Sequence, residues 1–518
     1  GVMRETGFWV SFKGDVYDFT DFLDGHPGLK TRLLMAGGKD LEPFWEVYGD
    51  HYRGHVIPWM AQFKIGRLSP ADAKQSKNFQ FPNSFEDDPK RHPDLLYNTA
   101  HPFNGEPKLE RLTENYYTPN HLHYVRNHLP VPEIDPNEYE LEVSGPGVKT
   151  TTFTLNDLKT KFKKYEVVTA LQCAGNRRED FHGKDGKNIF IGPHWVVGAI
   201  SNAKWAGPRL RDVLAFCGLD VDGMALGTVN PPNIKHVQFE GTDEDETGLN
   251  YGVSIPIDKA VDALGDCILA YEMNGVELPR DHGYPVRALV PGHAGARNCK
   301  WLERIVLADE TSQKPWHIAA YRGFAPDISF EKDLYLWDNS PRVKLDQAMI
   351  VQEMPVTSMI CNPPPNSVLK GKVDEITVKG VAWSGGGKGI ARVDVSVDGG
   401  KTFTAADLIK PIEQRRNREW GWSQFEKTIK LPEEMAAKVR NGQSVDLELV
   451  SKAVSKSYDV QPENIAPYYN ARGVCINHWY RVPVKIEPNR WKFASDRKQK
   501  GQDFHNKPTT GKFNSDWS

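Results

Sequence analysis

Cysteine is scarce in these 518 residues: six, at positions 173, 217, 267, 299, 361 and 475, with no CxxC pair. Such scatter argues against a zinc knuckle and against a disulfide-stapled secreted module. No apolar run approaches the roughly 20 residues needed to cross a bilayer. Charge of one sign is not in excess either. With 65 Lys and Arg against 68 Asp and Glu, the formal net charge is −3, which leaves no electrostatic footprint for nucleic acid. A GxGxxG dinucleotide loop and a regular βαβ repeat are both missing. The first residue is Gly1 rather than Met, and the chain opens almost inside a strand. A processed or shortened N-terminus is therefore expected, with any targeting segment out of view.

The composition, 39% hydrophobic and 26% charged, is that of a globular protein, and the length suggests about three domains. The stretch Leu171-Gln-Cys173-Ala-Gly175-Asn-Arg177-Arg178 organises the rest. Residues 165–171 read as a strand that ends in this small, twice-basic turn. One sulfur would sit at the strand end, with cationic neighbours that favour the thiolate, the form that attacks carbonyls or binds soft metals. The alternative is a small buried hydrophobe, the commonest fate of a cysteine.

Residues 1–66 begin with two short strands, 7–13 and 15–20, meeting at a Lys-Gly-Asp turn. Then come Phe22-Leu-Asp-Gly-His26-Pro-Gly28 and Phe44-Trp45-Glu-Val-Tyr-Gly-Asp-His51. Two histidines 25 positions apart could clasp a planar cofactor from both faces, or both could be ordinary surface residues. Asp15-Val-Tyr-Asp-Phe-Thr, the His-Pro-Gly step and Ala36-Gly-Gly38 together resemble cytochrome b5, with Leu29 where that family usually has a second glycine. The resemblance implies haem b with His26 and His51 on the iron. His55 is a near rival, but the spacing and the preceding aromatic pair favour His51.

Residues 67–95 are polar, proline-containing and aperiodic, and are expected to be a flexible, solvated linker. Residues 96–345 mix strand-like and helical runs with clusters of Gly, Arg and Lys, among them Tyr124-Val-Arg126-Asn127-His128 and Pro291-Gly-His-Ala-Gly295-Ala-Arg297-Asn298-Cys299-Lys300-Trp301. Glycines that let backbone approach, beside cationic side chains, form a plausible seat for an anionic cofactor. Each cluster alone reads equally as a solvent-facing loop.

In order and content these clusters, with the Cys173 stretch, resemble the molybdenum domain of the sulfite oxidase family. The resemblance implies Cys173 on molybdenum and molybdopterin contacts from Arg126, Asn127, His128, Asp243, His282, Arg287, Asn298, Cys299 and Lys300, with Cys299 contributing backbone only. It also implies a substrate pocket of Arg126, Arg178, Trp195, Tyr321 and Arg472. Sulfite is a strongly hydrated dianion, and forked guanidinium hydrogen bonds return the stabilisation that desolvation removes.

Residues 346–485 carry alternating strands at 376–383, 392–397 and 444–450, the second running into Asp398-Gly-Gly400, a hairpin signal. They read as an immunoglobulin-like β-sandwich, through which the family dimerises. Arg472, in Asn470-Ala-Arg472-Gly473, stands where related nitrate reductases usually carry methionine. Residues 486–518 read as a polar tail.

The expected fold class is α+β multidomain: a cytochrome b5-like haem domain, a mixed α/β molybdopterin domain and a C-terminal sandwich. The implied activity is oxidation of sulfite to sulfate. Electrons would pass through haem to an external acceptor such as cytochrome c, and the protein would be a homodimer of the mitochondrial intermembrane space. The mildly acidic haem module, nine acidic against seven basic residues in 1–66, is too weakly charged to select that acceptor. Alternatives are a nitrate reductase-type enzyme and a haem electron carrier with an inactive molybdenum domain. A Cys–His hydrolase has no recognisable triad context.

Overall fold

The structure, a computed structural model, describes residues 7–488 apart from 24, 25, 27–29, 49, 50, 52–55, 181–192, 330–342, 346 and 372. The N-terminal module opens on the expected hairpin. Trp9–Phe12 pairs antiparallel with Asp15–Asp18 across Lys13 and Gly14, whose φ angles are both positive, 51° and 81°. That turn has the twist that two-residue hairpins need, and glycine takes one of its left-handed positions without a steric cost. Lys64–Arg67 adds a third strand. The short helices Lys30–Met35, Glu42–Val47 and Val56–Met60 close over a core rich in aromatics, including Phe12, Phe19, Phe22, Phe44 and Trp45. The Pro27–Gly28 step, Leu29 and His55 lie outside the described residues.

The stretch 67–95 differs from the expected solvated tether. Ser69 caps a helix, Pro70–Ser76, its Oγ accepting from the Asp72 amide at 3.2 Å. Phe79 and Phe81 then pack on Phe44, with ring centroids 5.4 and 4.4 Å away. Farther on, Arg91 is buried between Asp88 and Asp281, at 2.9 and 2.8 Å. Polar composition hid these anchors. Two phenylalanines two residues apart share one side of an extended chain, which is enough to pin it to an apolar surface.

The catalytic domain holds a five-stranded sheet in the spatial order Asn250–Pro256, His236–Glu244, Leu302–Ala308, Glu140–Ser144, Thr151–Thr154. Its neighbours are antiparallel except for Leu302–Ala308 beside Glu140–Ser144. A four-stranded sheet contains Tyr165–Gln172 and its antiparallel partner Ile200–Gly207.

C-terminally, a four-stranded and a five-stranded sheet share one apolar core, the expected sandwich. Glu375–Trp383 and Val445–Ser455 are its long strands. The core runs on into the catalytic domain, reaching Ala170, Ala174 and Tyr321. Two polar ties reinforce that junction. Arg418 and the Trp420 indole both donate to Asp266, and the Trp383 indole donates to the Trp420 carbonyl at 2.7 Å. From residue 489 onward the tail is outside the described residues.

Candidate active site

Tyr165–Gln172 is buried along its last four residues and delivers Cys173 at its end, as the hydrophobic run predicts. The Cys173 amide donates to the Ala199 carbonyl at 2.9 Å, which extends the strand pairing by one residue. The following loop is gripped by the sandwich. The Cys475 amide donates to the Ala174 carbonyl at 2.7 Å, and Arg178 Nε donates to the Gly473 carbonyl at 3.3 Å.

The two arginines of the turn separate in function. Arg177, fully buried with φ 67°, faces the sandwich, where its Nη1 donates to the His478 carbonyl at 2.6 Å. Arg178 instead folds back over Gly175, where a Cβ would collide with its guanidinium.

Beside the buried Cys173 lies a cavity whose wall includes Arg126, His128, Asp243, His282, Arg287 and Lys300. Its cations are held at a cost. Burial pushes the Arg287 guanidinium down to about 10 and the Lys300 ammonium down to about 7. Arg287 donates only to backbone carbonyls, those of His282 and Asn298, both at 2.9 Å, and its Nε has no acceptor among the described residues. Lys300 donates to the Asn127 side chain and to the Asp281 carbonyl. Burial holds the His282 imidazole down to about 3 and raises the Asp243 carboxyl well above the usual range. Asp243 Oδ1 and His123 Nε2 are buried without partners among the described residues. Desolvated cations next to unsatisfied donors and acceptors describe a wall built to be completed by a polar anion. A phosphate-bearing pterin has that chemistry, so these residues fit the implied cofactor.

On the same side, Tyr321 follows a π-helical turn, Trp316–Ala320, a geometry frequent at functional sites. Its hydroxyl lies 2.6 Å from His128 Nε2, and the Arg297 guanidinium sits over its ring at 5.7 Å. Burial raises the Tyr321 phenol, while the charges of Arg126 and Arg178 pull it down. Arg472 is buried, donates to the Ala319 carbonyl at 2.8 Å, and is pushed down to about 9 by burial and then by the neighbouring Arg178 charge. A second buried guanidinium whose charge disfavours that of Arg472 suits this desolvated space to a small anion.

The structure brings most of the expected residues together, but not in one shell. Asn127 stands behind Lys300, bonded to it and to Asp281 at 3.0 Å, and does not line the cavity. The Cys299 thiol is buried in the apolar core of the five-stranded sheet, and Cys299 is not among the residues that line the cavity. Arg178, Trp195 and Arg472 are not among the residues of the cavity wall: Arg178 bonds to the sandwich at Gly473, Arg472 comes from it, and Trp195 packs edge-on against Tyr124 of the wall, with ring centroids 6.2 Å apart. Trp195 is fully buried in the cluster that contains Cys173, and its Nε1 has no acceptor among the described residues.

Sequence reasoning missed His123, Tyr124, Tyr251 and Asp281 in the cavity wall. Tyr124 opens the cluster read at 124–128 and His123 directly precedes it. Asp281 stands next to the expected His282. Nothing local marked Tyr251.

In the N-terminal module, the rings of His26 and His51 are parallel to within 5°, with centroids 6.0 Å apart. Two metal–imidazole bonds of about 2 Å plus the half-width of each ring span about that distance. His51 Nδ1 lies 2.8 Å from the Tyr48 carbonyl, which fixes its proton there and puts the lone pair on Nε2. Phe22, Phe44 and Trp45 supply apolar surroundings. The pair fits bis-histidyl haem.

Comparison with known proteins agrees with this arrangement. Residues 3–69 match the Cytochrome b5-like Heme/Steroid binding domain, 128–316 the Oxidoreductase molybdopterin binding domain and 348–487 the Mo-co oxidoreductase dimerisation domain. Mitochondrial sulfite oxidase of Homo sapiens is 44% identical over 93% of this chain and 82% of its own. Sulfite oxidase of Gallus gallus is 43% identical over 92% of this chain and 96% of its own. The sulfane dehydrogenase SoxCD of Paracoccus pantotrophus shares the fold, with a TM-score of 0.57 at 24% identity over 83% of this chain and 95% of its own.

Proposed function

Because the chain belongs to the sulfite oxidase family, we propose that it oxidises sulfite to sulfate and passes the electrons through its own haem to an external one-electron acceptor. The overall change adds one oxygen from water to sulfite and releases two protons and two electrons. Cys173 would hold a molybdenum–pterin that would supply the oxygen-atom chemistry, and His26 and His51 would hold haem b, which would supply one-electron transfer.

The chain's own residues bind and orient. Arg287, Lys300, His282, Asp243 and the Asn298 carbonyl's neighbourhood seat the anionic pterin, and Arg126 and His128 close the cavity toward Tyr321. Asn127 acts one step back, aligning Lys300. Arg126, Arg178 and Arg472 return to sulfite the stabilisation it loses on leaving water. Tyr321, fixed by His128, presents its hydroxyl to the anion, and Trp195 walls the pocket from the apolar side.

The observation that carries this reading is the pair of buried guanidiniums, Arg178 and Arg472, gathered beside the Cys173 loop, where the Arg178 charge disfavours that of Arg472. A dianion relieves it more fully than a monoanion such as nitrate. The dimerisation domain suggests a homodimer. The relatives' mitochondrial names support a mitochondrial location, which we extend to the intermembrane space, with cytochrome c as the acceptor.

The test is anaerobic mixing of oxidised holoprotein with sulfite while haem absorbance is followed. Rapid haem reduction that disappears in Cys173→Ser is expected. Haem that stays oxidised under sulfite, but is reoxidised by nitrate after chemical reduction, would overturn the reading in favour of a nitrate reductase.

A further inference from the structure

The haem module touches the catalytic domain at an acidic turn that starts at Asp243 of the cavity wall and continues through residues the site does not use. Residues 243–246 read Asp-Glu-Asp-Glu, at the end of the strand His236–Glu244. Asp243 points into the cofactor cavity. Asp245, two residues on, is fully buried at its side chain and serves two masters. Its Oδ1 accepts from the Thr247 and Leu249 amides at 2.9 and 3.1 Å, which shapes the turn, while its Oδ2 accepts from Arg32 Nε of the haem module at 3.0 Å.

Glu246 accepts from the Tyr48 hydroxyl at 2.7 Å on both oxygens, and from Ser84 Oγ at 2.7 Å. The Arg32 guanidinium lies over the Tyr48 ring at 5.6 Å, so the two module residues brace each other. Tyr48 is also the residue whose carbonyl faces Nδ1 of His51.

We infer that the turn at 243–246 is the docking seat through which the cofactor cavity is coupled to the haem: the Tyr48–Glu246 hydrogen bond, secured by Arg32–Asp245, joins the backbone that holds an axial histidine to the strand that lines the cavity. The chain of contacts is short and continuous. It runs from Asp243 in the cavity wall to Glu246 three residues on, across one hydrogen bond to the Tyr48 side chain, and through the Tyr48 carbonyl to His51. Burial raises the Tyr48 phenol well above its ordinary value, so it stays a proton donor to Glu246 at any working pH. Charge complementarity makes the seat specific, because a buried carboxylate faces an arginine and the adjacent one a phenol. Tyr48 and Glu246 are thus positioning residues for electron transfer, not catalytic ones.

This inference rests on the function proposed above, and the experiment separates the two. Holoprotein carrying Tyr48→Phe, Glu246→Ala or both is mixed anaerobically with sulfite, and the rate of haem reduction is recorded. Each single change should slow it by about tenfold, the scale of one hydrogen bond to a charged group, and the double variant should be no slower than the worse single one. Arg32→Gln should slow it as well.

The haem spectrum and its reduction by dithionite should be unaltered in all variants, which a general loss of structure would not allow. Unchanged or faster haem reduction in the single variants, or fully additive slowing in the double, would overturn the seat. If the unmodified holoprotein shows no sulfite-driven reduction, the proposed function fails instead. The seat is then judged by hydrogen exchange at the Thr247 and Leu249 amides, which Tyr48→Phe should accelerate and which would count against the seat if it did not change.

Discussion

The two cofactor sites of this chain are built in opposite ways. The haem pocket is local: both axial histidines, the turn carbonyl that orients one of them and the aromatic surround all fall within 8–63. The cavity beside Cys173 is assembled from 123 to 321, and the loop that carries the cysteine is clamped by residues as distant as Gly473 and Cys475. The haem pocket sets two imidazoles in an apolar setting, whereas the other site collects arginine and lysine in a space that disfavours their charge. A local site can survive changes elsewhere. A site collected across two domains responds to the packing of both, and its charges wait for a ligand.

The sharpest way to break that comparison is to remove one ligand from each site. His51→Ala should abolish haem binding, read as loss of the visible spectrum, while leaving the molybdenum content of the protein unchanged. Cys173→Ser should do the converse, eliminating sulfite-driven haem reduction with the haem spectrum intact. If either change emptied both sites, the two would not be independent units, and the local character assigned to the haem module would be wrong.

A smaller effect tests the pocket on the sandwich side. Arg472→Met removes one of two arginines that repel each other, so the protein itself should fold no worse. Sulfite should nevertheless suffer, with kcat/KM falling by about 10- to 100-fold, the range for a lost charge-assisted hydrogen bond, and KM bearing most of the loss. A variant with unaltered KM would place Arg472 outside the substrate pocket and return it to a packing role.

How far the sequence disclosed these sites follows from the same contrast. The strand at 165–172 and the hairpin at Lys13-Gly14 were legible because period and turn chemistry act over a few residues. The histidine spacing suggested a clasp, although only the resemblance to cytochrome b5 chose between that and surface histidines. The cavity was another matter. No spacing rule could bring Asp281 against Asn127 and Lys300, because that contact exists only once 127, 281 and 300 meet in space. Nor could composition distinguish Arg177, which donates to the His478 carbonyl, from its neighbour Arg178, which reaches the Gly473 carbonyl while its guanidinium covers Gly175. The linker misled for the converse reason: its average polarity masked Phe79, Phe81 and Arg91, which pin it to Phe44 and Asp281.

The smallest effect is also the most diagnostic of a wall that waits for its ligand. Burial pushes the Lys300 ammonium down to about 7, against an ordinary value of 10.5. Between those values the unfolded chain binds a proton that the folded one has released, so Lys300 makes the empty protein more stable as pH rises through that window, by up to about tenfold in the folding equilibrium per pH unit. Below about 7 both states are protonated, and the burden of the buried charge is constant. Urea unfolding of cofactor-free protein, compared with cofactor-free Lys300→Met between pH 7 and 9.5, should therefore show wild-type stability climbing relative to the variant. In cofactor-loaded protein an anion beside the ammonium keeps it charged, which raises its folded value toward the ordinary one and flattens the relative slope. A flat difference in the empty protein as well would mean that Asp281 and Asp243 already satisfy the lysine. The cavity would then be as self-sufficient as the histidine pair, and the contrast between the two sites would be one of sequence distance alone.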